Sequence, residues 1–372
     1  MTHDRGLRIG LDGRVFQGAL TGVGRYVTEI CRCLNIILSD ATFIIYSNTP
    51  IEPPVASKRW IVKVDGFRLS KRMKAIVWLK FRCGSMARRD DLDLFWGTST
   101  LLPRLPRHVR TFVTTYDLNF LLVPGSMVTT HRIAHQLFFR KDLARAGCLT
   151  TISQGTADRI LEKYGRRADA IVLPSAGPAF MPRAEEDVKA CLERHAIRFP
   201  YLLAVATWEP RKNLDLLIKV FLDLKKNRFL PEGIRLVLAG GKGWKDIHLQ
   251  DLMDRNPDSH LVPLGYVPDD DLPCLYSGAE AFVFPSLYEG FGMPVLEARA
   301  CGTAVLTSDL PELREAGGAD ALYVQPTFEG IREGILAILA DPKKAGLPKG
   351  LPTWEKSAEV LVTAIRNLNR RA

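Results

Sequence analysis

Two carboxylates, Glu289 and Glu297, bracket a glycine-containing loop in the string Phe284-Pro285-Ser286-Leu287-Tyr288-Glu289-Gly290-Phe291-Gly292-Met293-Pro294-Val295-Leu296-Glu297-Ala298. An apolar, strand-like run ends at Pro285, and a helix opens with Pro294 near its first position. Glycines let backbone N–H groups come close to a ligand, and a helix N-terminus favours an anion there. Carboxylates do not bind phosphate, but they pair well with vicinal sugar hydroxyls. The string therefore suits a phosphate-linked sugar. Gly290, Phe291 and Gly292 would face the anion, and the two carboxylates would divide a transferred sugar and a ribose between them. A second turn, Thr207-Trp208-Glu209-Pro210-Arg211-Lys212-Asn213, lies between a strand-like run and a helix from Leu214. Two adjacent cations at such a turn suit a diphosphate. Alone, the turn reads as a surface basic pair; beside the first string, the diphosphate reading prevails.

These turns need a scaffold, and strand-like and helix-like segments alternate almost from end to end, the sign of parallel α/β architecture. Residues 8–12, 43–47, 92–96, 111–115, 149–153 and 170–173 read as strands; 23–38, 70–82, 130–146 and 155–164 read as helices. The stretch 174–187, with Pro174, Pro178 and Pro182, reads as a linker. A second series follows, with strands at 202–206, 235–238, 261–264, 281–284, 304–307 and 322–324. Helices at 214–226, 270–277, 294–301 and 328–340 separate them. The expected fold is α/β, with two Rossmann-like doubly wound domains facing across a cleft and ligand beyond the carboxyl ends of the strands. A final amphipathic helix is expected over 353–369.

At this point the chain resembles the family 4 glycosyltransferases, the large retaining group with the GT-B fold. Glu289 and Glu297 match the family's pair of glutamates with seven residues between them, and Arg211, Lys212 and Asn213 its basic turn. Gly22-Val23-Gly24-Arg25-Tyr26 matches its first glycine-rich loop. The likeness runs nearly end to end, through Gly240-Gly241-Lys242-Gly243-Trp244, Leu264-Gly265-Tyr266-Val267 and Trp354-Glu355-Lys356. It implies an N-terminal acceptor-binding domain over 1–180, a nucleotide-sugar-binding domain over 188–350, and a helix at 353–372 that packs back on the first. It implies Glu289 on the donor sugar, Glu297 on the ribose, Arg211 and Lys212 on the diphosphate, and the base near Tyr266 and Val267. Thr207, Gly22 and Gly24 join the donor contacts; Arg25 and Tyr116 lie on the acceptor side; Asp117 stands with the catalytic groups.

One departure falls in Thr114-Thr115-Tyr116-Asp117-Leu118. The family commonly has His-Asp there; Asp117 matches, and Tyr116 replaces the His. A phenol can hydrogen-bond a hydroxyl or phosphate but cannot carry a positive charge. Either the pocket is adapted to its substrates, or the chain is a non-catalytic nucleotide-sugar-binding subunit. An epimerase or phosphorylase fits the paired glutamates poorly, and a Rossmann oxidoreductase lacks its glycine fingerprint. Retention by front-side attack, with the leaving phosphate taking the acceptor's proton, requires no enzyme nucleophile. No cofactor and no metal are expected. Asp91-Leu92-Asp93 formally matches a metal-binding Asp-x-Asp but reads as strand-edge charge.

The 372 residues carry a net charge of +10. Residues 1–180 hold 27 Lys and Arg against 14 Asp and Glu, +13; the remainder holds 24 against 27, −3. A basic half suggests an anionic partner, and with no nucleic-acid motif present, nucleic acid ranks last. Segment 67–82 mixes basic residues with Met73, Ile76, Val77, Trp78 and Phe81. It suits an anionic membrane surface bearing a lipid-linked acceptor, or it packs its apolar stripe on its own sheet; the charge split tips the reading to the membrane. No run approaches the ~20 apolar residues of a membrane span, and no secretory signal opens the chain. The seven cysteines lie without CxxC or Cys/His pairing and read as reduced thiols. The expectation is a cytoplasmic enzyme, peripheral on the inner membrane face. It would use a GDP- or UDP-linked sugar, GDP-mannose ahead of UDP-glucose, and a saccharide or polyprenyl-diphosphate-linked saccharide acceptor.

Overall fold

A computed structural model describes residues 6–18, 21–67, 69–123, 125, 129–241, 260–341 and 350–370. The chain forms two compact units, Met1–Pro174 with Pro352–Ala372, and Ser175–Leu351.

In the first unit, seven parallel strands stand in the order β3-β2-β1-β4-β5-β6-β7. They are β1 (Arg8–Asp12), β2 (Thr42–Ser47), β3 (Trp60–Val64), β4 (Leu94–Gly97), β5 (Arg110–Thr115), β6 (Cys148–Thr151) and β7 (Ala170–Ile171). Central strands covered on both faces need apolar residues at every position rather than alternate ones. The run Phe43-Ile44-Ile45-Tyr46 and the strand β4 meet that need, since all are buried. β3 was not anticipated. It is an edge strand whose apolar run is broken by Lys63, which ion-pairs with Asp90.

The last helix, Trp354–Arg370, packs on the helix Gly22–Ile37 of this same unit. Trp354, Ala358, Leu361, Val362 and Ile365 are its buried stripe, at helical spacing. Trp354 meets the ring of Tyr26 at 5.6 Å, and the Ser357 hydroxyl donates to the Leu173 carbonyl at 2.6 Å.

The single helix expected over 70–82 is instead broken. A 3-10 turn Ser70–Arg72, a helical turn Ala75–Trp78, a π-turn Leu79–Cys83 and a turn Gly84–Ala87 succeed one another. Buried polar groups dictate the breaks. Asp65 accepts from Ser70 Oγ, Trp78 Nε1 and Arg82 Nη2, and Lys80 turns inward to ion-pair with Asp142.

The second unit holds β8 (Tyr201–Val205), β9 (Arg235–Ala239), β10 (Leu261–Gly265), β11 (Ala281–Phe284), β12 (Val305–Ser308) and β13 (Leu322–Val324). All are parallel, in the order β10-β9-β8-β11-β12-β13. This repeats the winding of the first six strands, so strand order reverses at β1/β4 in one unit and at β8/β11 in the other. Ligands of such sheets bind outside the carboxyl ends at those reversals. The stretch read as a linker contains the start of a helix, Glu185–Arg194, whose three acidic residues in the first turn favour its N-terminus.

At the end of β9, Gly240 has φ +135°, and a Cβ there would lie 1.9 Å from the Ala206 carbonyl oxygen. Its N–H donates to Gly265 at 2.7 Å, tying β9 to β10. Gly240→Ala is expected to destabilise the second unit by ~2 kcal/mol or more. Hydrogen exchange should show protection lost in β8 and β9 and retained in β1 to β7; uniform protection throughout would contradict this.

Candidate active site

β8 and β11 are hydrogen-bonded neighbours, Leu203 beside Phe282, so the turns that leave them open on one edge of the sheet. From β8 the chain passes exposed Thr207 and buried Trp208 into the 3-10 turn Pro210–Lys212. Asn213 then takes the left-handed conformation, φ 58°, and redirects the chain into the helix Leu214–Lys226. Asparagine tolerates that region better than most residues. The N–H of Leu287, from the β11 turn, donates to the Arg211 carbonyl at 2.8 Å and stitches the two turns together.

This stitching brings together three residues singled out in the sequence. The buried Glu289 carboxylate accepts from Lys212 Nζ at 2.6 Å on one oxygen and from Arg211 Nη1 at 3.1 Å on the other. Arg211 Nε is held by Glu209 at 2.8 Å, and the Lys212 ammonium stands 4.9 Å from the Phe284 ring centroid. Burial pulls the Lys212 pKa below the ordinary lysine value, and Glu289 opposes that pull. Burial pushes Glu289 upward, but Lys212 and Arg211 outweigh it and hold the carboxyl below its ordinary value.

Beyond Glu289, Gly290 is half-buried and Phe291 buried. Gly292 has φ +105°, and a Cβ on it would lie 2.5 Å from Leu313. The helix Met293–Ala300 starts there and carries Glu297, buried, whose Oε2 accepts from the Tyr276 hydroxyl at 3.0 Å. Tyr276 is a residue that sequence reasoning missed. It is fully buried on the helix Leu272–Gly278, and its one signal is a phenol among apolar residues, which must find a partner when buried. Tyr266 is 76% exposed just past β10, and Val267 beside it is buried. Residues 242–244 of the glycine-rich string lie outside the described residues.

The remaining sequence candidates belong to the first unit. Thr21 caps the helix Gly22–Ile37, its hydroxyl accepting from the N–H of Gly24 at 3.4 Å; Gly22 is exposed, Gly24 buried and Arg25 half-buried. Asp117 accepts from the Asn119 N–H at 2.9 Å and starts the turn Asn119–Leu122. The Tyr116 hydroxyl donates to the Thr98 carbonyl at 2.7 Å, which leaves its oxygen only as an acceptor, and its ring meets Tyr26 edge-on at 5.5 Å. At the β1/β4 reversal, buried Asp12 accepts from Arg14 Nη2 at 2.6 Å and Ser99 Oγ at 3.2 Å. Sequence reasoning missed this cluster because Ser99 is remote in the chain.

Comparison with known proteins bears on this geometry. Residues 193–346 match the family described as glycosyl transferases group 1. The chain is 29% identical to O-antigen chain mannosyltransferase B of Escherichia coli over 388 aligned residues, which cover 94% of this chain and 97% of that protein. The solved structure of sucrose-phosphate synthase from Thermosynechococcus elongatus matches with a TM-score of 0.74 at 18% identity, over 98% of this chain and 100% of that one. WaaG, a glycosyltransferase involved in lipopolysaccharide biosynthesis, matches at 0.67 and 14%, over 98% of each. The two Rossmann-like domains are those of the GT-B fold.

Breaking a buried ion pair from one side costs about 3–5 kcal/mol. Glu289→Gln is therefore expected to destabilise the second unit by ~3 kcal/mol, and adding Lys212→Met should recover most of that loss. Because Glu289 titrates lower in the folded state, its contribution is complete above the unfolded carboxylate pKa of about 4.3 and is lost as pH falls through the folded value. Denaturant melts against pH read both effects. A double variant no more stable than the single one, with the wild-type acid limb, would refute the pairing.

Proposed function

We propose that this chain, a hexosyltransferase of GT-B fold with a glycosyl transferases group 1 domain over residues 193–346, moves mannose from GDP-mannose onto a glycan or lipid-linked saccharide in surface polysaccharide assembly. The observation that carries the reading is the Arg211–Lys212–Glu289 cluster at the β8/β11 reversal. It puts two cations and a hydroxyl-binding carboxylate at one strand edge, as a sugar diphosphate requires. Mannose is favoured by the Escherichia coli relative, whose name gives that sugar.

In the proposed reaction the bond between the sugar C1 and the diphosphate oxygen breaks, and the acceptor oxygen bonds to C1 on the same face. The leaving phosphate takes the acceptor's proton, so configuration is retained. Arg211 and Lys212 stabilise the departing anion. Glu289 has lone pairs beyond those that the two cations occupy, and these accept from hydroxyls of the transferred sugar. Glu297, held by Tyr276, accepts from the ribose. Phosphate charge is met by side chains and backbone, so transfer runs without a divalent cation. Thr207, Gly290, Phe291, Gly292, Tyr266 and Val267 complete the donor side of this unit. In the first unit, Gly22, Gly24, Arg25 and Asp117 are proposed as binding residues of that unit, and Tyr116 holds its loops.

An anionic membrane surface is the proposed setting, with the enzyme on its cytoplasmic side. Phe67, Leu69, Val77 and Phe81 are exposed, Phe81 at 65%, beside exposed Lys71 and Lys74. The helix Thr129–Arg145, joined to this segment by the Lys80–Asp142 pair, exposes Ile133, Leu137, Arg140 and Lys141. Lys80 and Arg82 are consumed internally, and Ile76 and Trp78 belong to the core, so lipid meets fewer residues than the sequence advertises. No helix among the described residues is long and apolar enough to cross a membrane.

Calorimetry with GDP, UDP and their sugars tests the donor reading. Glu297→Ala should weaken free nucleoside diphosphate binding by ~10-fold, the loss of about one charge-assisted hydrogen bond. Glu289→Gln should bind it at least as tightly as wild type, since a competing negative charge is gone, while transfer collapses. Equal loss in both variants, or preference for UDP, would overturn the assignment. Liposome co-sedimentation tests the membrane. Binding should need anionic lipid, weaken with salt, and fall when Lys71 and Lys74 become Glu or Phe81 becomes Ser. Wild type remaining in the supernatant at low salt points to a soluble acceptor.

A further inference from the structure

The seven cysteines were read as carrying no Cys/His pairing, and the fold corrects this. Cys191 lies on the helix Glu185–Arg194, and His195 caps that helix four residues on. Asp271 caps the helix Leu272–Gly278, and Cys274 lies in its first turn. Spacings of four and three residues put each pair on one helix face, and these two helices pack together. One ligand atom each from Cys191, His195 and Asp271 lies within 4.8 Å of the other two. His195 Nε2 is 2.9 Å from Asp271 Oδ2, the Cys191 thiol donates to the Asp271 carbonyl at 3.8 Å, and Cys274 lies near enough to Cys191 to act on its thiol electrostatically.

We propose that Cys191, His195, Asp271 and Cys274 form a binding site for one zinc-class divalent cation that clamps these two helices. Two thiolates, an imidazole and a carboxylate make a borderline-soft donor set that suits Zn²⁺ in tetrahedral geometry. Mg²⁺ and Ca²⁺ require a shell of oxygen ligands, and this set supplies only the Asp271 carboxylate. Ionised, the four groups carry three negative charges, and a dication leaves one. Arg194 answers it, with Nη2 2.5 Å from Asp271 Oδ1, leaving Oδ2 for the ion. That guanidinium also fixes the carboxylate's orientation, as outer partners of metal ligands do. The ion replaces the His195–Asp271 hydrogen bond and the two thiol protons.

The helix so clamped carries Tyr276, whose hydroxyl holds Glu297. The ion therefore positions this carboxylate through a rigid element. None of its four ligands belongs to the Arg211–Lys212–Glu289 cluster, and no step of transfer is routed through it.

The full chain, stripped with chelator and dialysed, is titrated with Zn²⁺ against a chromophoric chelator, and separately with Co²⁺. One equivalent should bind per chain, with tetrahedral Co²⁺ bands and a thiolate charge-transfer absorbance. Zn²⁺ should raise the thermal midpoint, since a ligand bound only by the folded state stabilises it. Cys191→Ser and His195→Ala should each weaken binding by ~10-fold or more, and Cys274→Ser should lower the charge-transfer intensity. Cys31→Ser and Cys33→Ser, in the other unit, should change nothing. Failure of folded wild type to bind stoichiometrically, or a Co²⁺ spectrum without thiolate absorbance, overturns the proposal without requiring any variant to fold. Binding that survives both Cys191→Ser and His195→Ala overturns it equally.

Discussion

Lys212 is a buried ammonium, and the carboxyl edge of the second unit's sheet is organised by what that burial demands. A charge withdrawn from water must be paired or neutralised, and the partner, Glu289, is 77 residues away in the chain. Bringing them together requires β8 and β11 to be neighbours, Asn213 to turn left-handed, and Leu287 to bond the Arg211 carbonyl. With Glu209 holding the other side of Arg211, the cluster contains two cations and two carboxylates. Its charge is balanced from within. On the proposed reading, an incoming diphosphate must therefore compete with Glu289 for the cations, and sugar hydroxyls that engage Glu289 loosen its hold and release positive charge toward the phosphates. Recognition of the sugar and of its leaving group are then coupled through one carboxylate.

The same economy governs the strand edge of the first unit. Asp12, Arg14 and Ser99 hydrogen-bond one another at the β1/β4 reversal, and the Tyr116 hydroxyl donates to Thr98. The Thr156 hydroxyl reaches the Tyr116 carbonyl at 3.2 Å, so one residue ties together the turns after β4, β5 and β6. A histidine has a shorter reach from the backbone and would leave the Thr98 carbonyl to another donor. The exchange of His for Tyr is in this light a change in how loops are fixed, since the phenol is already engaged.

Segment 67–87 shows how buried polar anchors shape a surface. Asp65 gathers Ser70, Trp78 and Arg82, and its carboxyl is held far below its usual range: burial works against ionisation, and the hydrogen bonds, that of Arg82 foremost, outweigh it. Lys80 is drawn to Asp142, and burial pulls its pKa down to about 8 against that pairing. A regular helix cannot serve both anchors, and the π-turn Leu79–Cys83 accommodates them. The cost is regularity; the result is a surface where Phe81 and Val77 face outward while Trp78 and Leu79 do not.

The two Rossmann-like series were legible in the sequence because parallel strands covered on both faces must be continuous apolar runs, and their turns need glycine, proline or asparagine where the backbone reverses. Glu289, Arg211 and Lys212 stood out because two turns of the same alternating series carry them together, though the basic turn alone read as a surface pair. Edge strand β3 and the helix Glu185–Arg194 escaped, the first because Lys63 interrupts its run, the second because prolines precede it. Tertiary structure alone decided the partners: Lys212 with Glu289, Tyr276 with Glu297, Tyr116 with Thr98, Cys191 and His195 with Asp271. Periodicity and turn chemistry act over a few residues, whereas these pairs are set by strand order and helix packing, which join segments tens of residues apart. The sequence names the groups that must be satisfied when buried, and only the folded chain decides which of them satisfies which.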